Sequence, residues 1–113
     1  MNVSQMKPFV ETIAKQLREH ASVEGRSDAR TGALCVRCVP LATVACKESP
    51  AVLFAVSDVA VLGFEQHRED QKQAALTHLA RIATESWARR HDLPYLSEIR
   101  GVEIHVGESA LRL

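Results

Sequence analysis

At 113 residues the chain is long enough for one domain with a real core and too short for two. Acidic and basic residues cancel at 14 each, and they cancel locally too: five Lys/Arg against four acids in residues 1–32, and seven against eight in residues 65–113. That balance supplies no basic arm or acidic tail to steer nucleic acid or an anionic membrane, and no stretch approaches the roughly 18 apolar residues of a membrane span.

The N-terminus, MNVSQMKPFVETIAK, mixes charges into its apolar residues and has no hydrophobic core of the signal-peptide type. The expected location is therefore cytoplasmic, with reduced cysteines. Residues 4–21 have helical spacing. Ser4 is the expected N-cap, with Pro8 in or near the first turn. Met6, Phe9, Val10, Ile13, Leu17 and Ala21 share one face, and Lys7, Glu11, Lys15 and Glu19 alternate in sign on the other.

Residues 24–32, EGRSDARTG, are expected to form a polar, mobile loop between Gly25 and Gly32. Its Arg26 and Arg30 are candidate partner contacts. Residues 33–39 predict a strand, and 41–47 a second one. Pro40 cannot donate to a ladder, so it marks an edge, bulge or break. Glu48, Ser49 and Pro50 make the next turn.

Residues 51–64, AVLFAVSDVAVLGF, are the centre of the chain. Twelve of the fourteen are apolar or glycine, interrupted only by Ser57 and Asp58. The β-branched and aromatic content favours a strand, and the absence of a polar side predicts burial on both faces. A single bent or bulged strand is expected. Residues 66–91 predict a long helix with an Ala/Leu face, and Trp87 is expected to cap the core. Asp92, Leu93, Pro94 and Tyr95 stop it. Exposed Leu93, Tyr95 and Leu96 are expected to contribute to a contact patch. Residues 99–106 alternate as a last strand with a bulge at Gly101, and GESALRL is a frayed end or short closing turn.

The expected fold is α+β in the order α-β-β-(β)-α-β, with an antiparallel sheet and both helices on one face, in a single domain over residues 1–113. The Pro40 strand is the expected free edge.

Few residues suggest chemistry. Cys35-Val36-Arg37-Cys38 is a CxxC, with Cys46 further on, but it sits in a Val-rich strand without a knuckle turn, and alternation sends its two thiols to opposite faces. The redox version needs a helix N-terminus instead. The five histidines form no metal motif, and the five glycines form no phosphate loop. No cofactor, metal or catalytic residue is therefore assigned, although a carboxylate pair such as Asp58 with Glu65 or Glu103 depends on the fold.

The order helix–strand–strand–strand–helix over about residues 4–90 resembles a double-stranded RNA-binding domain. That resemblance implies RNA contact through lysines opening the second helix and through a loop with Pro and His. Here the helix opens His67-Arg68-Glu69-Asp70-Gln71-Lys72, with two acids where lysines would stand, and Glu48-Ser49-Pro50 has no His.

The expected function is a small non-catalytic protein-interaction domain: an adaptor, an inhibitor or a subunit of a larger complex. A phage or mobile-element inhibitor of a host complex is one form of it, and a homodimer is compatible with it. The alternatives are a nucleic-acid-binding module, and a small enzyme or ligand-binding protein whose site assembles only in three dimensions.

Overall fold

A computed structural model describes residues 2–41 and 50–112. The chain is α+β. The elements run α1 (Val3–Leu17), β1 (Ala21–Ser27), β2 (Leu34–Pro40), β3 (Ala51–Val56), α2 (Asp58–Glu65), α3 (Glu69–Ala88), β4 (Gly101–Val106) and α4 (Glu108–Leu111), with a 3-10 turn at Arg90–Asp92. The sheet order is β1-β2-β3-β4. The first three strands form an antiparallel meander, and β4 runs parallel to β3. The sheet is therefore mixed, where an antiparallel one was expected.

The reason lies at Ser57. Val52, Phe54 and Val56 are fully buried on the inner side of β3, and the strand ends there. The Ser57 hydroxyl accepts from the Ala60 amide at 3.1 Å, an N-cap that starts α2. Asp58 follows in the first turn, where its charge suits the helix dipole. The expected single strand over 51–64 is thus a strand and a helix. The two residues that interrupt its apolar run are a cap and a first-turn acid. A parallel partner strand requires a crossover, which α2 and α3 supply, so β4 returns alongside β3.

Other boundaries shift for similar local reasons. Asn2, not Ser4, caps α1: its side chain accepts from the Gln5 amide at 3.0 Å, and Gln5 Oε1 accepts from the Asn2 amide at 2.9 Å. Pro8 consequently lies inside the helix. The polar segment from Glu24 to Ser27 belongs to β1, an edge strand that faces water, and only residues 28–33 form the turn. There Asp28 Oδ1 accepts from the Arg30 amide at 2.8 Å, and Gly32 takes a φ of +73°.

Pro40 ends β2, which is paired on both sides, so that strand is not an edge. The expected long helix of 66–91 begins at Glu69 and ends at Ala88. In the C-terminal tail Glu108–Leu111 form α4, with Leu111 buried. The strand expected at 41–47 and the turn at 48–50 lie outside the described residues, apart from Leu41 and Pro50.

One core fills the space between the sheet and the helices. Phe9, Ile13 and Leu17 of α1 and Ala75, Leu79, Ala83 and Trp87 of α3 pack with Leu34, Val36, Cys38, Phe54 and Val102 of the sheet. Trp87 is buried, with the Arg90 guanidinium 4.1 Å from its ring centre. Phe9 and Phe64 meet at 4.9 Å with a 59° tilt and tie α1 to α2, a pair worth about 0.5–1.5 kcal/mol beyond area burial. A Cβ built on Gly101 would stand 2.0 Å from the Ala51 carbonyl oxygen, so only glycine fits where β4 meets β3. The register is continuous from Ala51↔Gly101 to Val56↔Val106. The expected bulge at Gly101 is replaced by a close backbone approach.

These positions differ sharply in what a methyl group or a lost hydroxyl should do. Gly101→Ala is expected to destabilise the fold by more than about 3 kcal/mol, because backbone must shift. Gly107→Ala, with nothing within 4 Å of the added Cβ, is expected to cost less than about 1 kcal/mol. Ser57→Ala is expected to cost about 1 kcal/mol through loss of the cap. Urea unfolding of the three variants measures all of these.

Candidate functional site: the outer face of the sheet

Side chains alternate across a strand, and here the alternation sorts cleanly. The inner set is Leu34, Val36 and Cys38, then Val52, Phe54 and Val56, then Val102 and Val106, all buried. The outer set forms a grid fixed by the register. Arg26, Cys35, Ala55 and His105 make one row, and Glu24, Arg37, Leu53 and Glu103 make the next. Among the described residues no element covers this outer face, since the helices that pack on the sheet lie on the other side.

The grid has an apolar centre and a charged border. β3 contributes Leu53 and Ala55, half-buried in the uncovered chain, while Ala51 on the same side is buried. Val39 at the end of β2 is 39% exposed. The border carries both signs: Glu24 stands opposite Arg37 in the register, and His105 Nε2 lies 3.5 Å from Glu103 Oε1.

Two shallow depressions meet at Cys35. One, of about 500 Å³, is lined by Glu24, Arg26, Arg37, Leu53 and Ile99, among others. The other, of about 320 Å³, includes Asp28, Ala55, Asp58, Glu103 and His105. The fold thus brings Asp58 and Glu103 to one depression and leaves Glu65 out of it. Among the described residues no three His, Cys, Asp or Glu side chains are grouped so as to hold a metal ion.

The two described cysteines part company as alternation requires. Cys35 is half-buried on the outer face and Cys38 is buried in the core. Burial pushes the Cys35 thiol up, Asp28 and Glu103 add to the rise, and Arg26 opposes it. Cys35 is therefore a thiol at neutral pH and a slow nucleophile. Burial alone pushes Cys38 up to about 12. Cys46 lies outside the described residues.

The residues expected from sequence to contact a partner are spread out. Arg26 is on the outer face. Arg30 is exposed in the β1–β2 turn. Tyr95 is 58% exposed, whereas Leu93 is half-buried against the core. Leu96 bridges to Gly101, donating its amide to the Gly101 carbonyl at 2.7 Å. The turn that Leu96 starts brings Ile99 to the depression shared with Arg26, Arg37 and Leu53.

Sequence reasoning missed Leu53, Ala55 and Ile99 as surface positions. It also missed Val59 and Leu62, which are 52% and 53% exposed on α2. The available signal was the lack of any polar side in 51–56, which alternation alone does not explain in a strand covered on one face.

No helix among the described residues is long and apolar enough to cross a membrane. Comparison with known proteins finds no matching family model, no matching curated protein and no matching solved structure.

The Cys38 thiol gives a pH prediction. Its pKa is raised in the fold from an ordinary 9.0, so its contribution to stability is full below pH 9.0. Above that pH the unfolded chain loses the proton first, and stability falls as pH rises toward about 12. Urea midpoints measured across this range are expected to decline for the wild type. Cys38→Ala is expected to remove that share of the decline.

Proposed function

We propose that this chain is a non-catalytic protein-interaction domain, an adaptor, inhibitor or subunit, whose outer sheet face docks another protein. The observation that carries the reading is β3. Its inner residues are fully buried, while its outer residues Leu53 and Ala55 are apolar without a covering layer among the described residues. Strands of all-parallel sheets are covered on both sides, and their composition shows it. This strand has that composition and half of that cover.

The partner that fits such a face has an apolar ridge flanked by charges of both signs. Leu53, Ala55 and Ile99 supply the apolar contact. Arg26, Arg37 and Glu24 supply the border that fixes register and excludes wrong partners. Arg26, a candidate partner contact from sequence, keeps that role in this reading. Arginine on this face is balanced by glutamate, which favours a protein over a polyphosphate.

The test is a comparative capture from lysate of the native host with nuclease present. The tagged wild-type chain is expected to recover one protein in near-stoichiometric amount. Leu53→Glu is expected to reduce that recovery more than about tenfold with little change in thermal midpoint, since Leu53 faces outward. Equal recovery by both chains, or loss of every partner on nuclease treatment, would overturn the reading.

A further inference from the structure

β1 is one of the two edges of the sheet, and its free side has a defined hydrogen-bonding phase. At the two ends of the β1–β2 ladder Leu41 donates to the His20 carbonyl at 3.1 Å and Asp28 donates to the Ala33 carbonyl at 2.8 Å. Both pairs continue the register that sets Ala21 against Pro40 and Ser27 against Leu34. Bonded and non-bonded pairs alternate in an antiparallel ladder. Ser22, Glu24 and Arg26 therefore turn their backbone groups toward β2. Ala21, Val23, Gly25 and Ser27 turn theirs outward. Among the described residues nothing pairs with them.

The side chains above this edge add a second constraint. Ser4, Pro8 and Thr12 of α1 line the groove toward Leu76 of α3, and Gln16 meets Thr84 of α3. At about 100° per residue, Val3, Met6, Val10 and Ala14 lie on the other flank. Val3 is 74% exposed, and the other three are half-buried. Val10 sits on Gly25, where a Cβ would come within 2.4 Å of its methyl carbon. The apolar flank of α1 thus lies over the middle of the free edge.

We propose that two copies of this chain associate about a two-fold axis by antiparallel pairing of their β1 strands, with Gly25 opposite Gly25. The register follows from charge and phase together. With Gly25 on the axis, the outward backbone groups of Gly25 meet each other, and those of Val23 meet Ser27 of the second copy. Glu24 then stands opposite the second copy's Arg26, twice by symmetry. That pair is the non-bonded kind, in which side chains approach most closely. Shifting the axis by one residue sets Glu24 against Glu24 or Arg26 against Arg26, and like charges directly opposite oppose pairing. Neither Glu24 nor Arg26 is in an ion pair among the described residues. The same axis brings the two α1 flanks together over the joined strands. The contact is isologous.

The test uses charge exchange in the full chain, read by sedimentation velocity over a concentration series. The wild type is expected to show a monomer–dimer equilibrium. Glu24→Arg and Arg26→Glu, each alone, set like charges opposite and are expected to weaken association about tenfold or more. The first variant carries two arginines on this stretch of β1 and the second carries two glutamates. Mixing them therefore sets opposite charges against each other at both contacts, and is expected to recover a heterodimer of near wild-type affinity. Recovery on mixing also shows that each variant is folded. A wild type that stays monomeric, single reversals that associate like the wild type, or a mixture that fails to recover would each overturn the proposal.

Discussion

The amide of Ser57 donates to the carbonyl of Val106 at 3.0 Å, and the hydroxyl of the same residue accepts from the amide of Ala60. One residue therefore closes the β3–β4 ladder and opens α2. The connection from β3 becomes a helical crossover, β4 becomes parallel to β3, and the helices accumulate on one side. The core forms there, around Phe9, Phe54 and Leu79, all fully buried. The other side of the sheet is the consequence: a face whose central strand is apolar and uncovered by any described element.

That face differs from the solvent side of an ordinary antiparallel sheet. On β1 the outward residues are Ser22, Glu24 and Arg26, as expected of a strand facing water. On β3 they are Leu53 and Ala55, both half-buried, while Ala51 on the same side is buried. Polarity falls from the edge toward the centre of the sheet, so the apolar area is contiguous rather than scattered. The charges around it balance, Glu24 and Glu103 against Arg26 and Arg37. They set specificity more than long-range attraction. Cys35 lies where the two depressions meet and is held as a neutral thiol, which suits packing better than reaction.

Much of this is legible in the residues alone. The helical face of Phe9, Ile13 and Leu17, the strand read at 33–39 and found at Leu34–Pro40, the long Ala/Leu helix and the buried Trp87 all follow from periodicity, which reports burial directly. Two departures share a cause, a local context that outweighs composition. Residues 51–64 read as one strand because Val59, Val61 and Phe64 are good strand formers, yet the cap at Ser57 decides the matter over local propensity. Residues 24–27 read as loop because they are polar, yet an edge strand with one watery face tolerates Glu24, Gly25 and Arg26. On the candidate surface the sequence singles out Arg26 and passes over Leu53. An apolar residue in an apolar run gives no hint that its side of the sheet lacks a cover.

Cover of β3 on one face only is tested most directly by methyl NMR of the full chain with a soluble paramagnetic probe. The methyls of Leu53 and Ala55 are expected to broaden strongly, while those of Val52 and Val56 on the opposite side of the strand stay sharp. Protection of Leu53 and Ala55 equal to that of Val52 and Val56 would mean that the chain covers this face itself, and the docking surface would not exist.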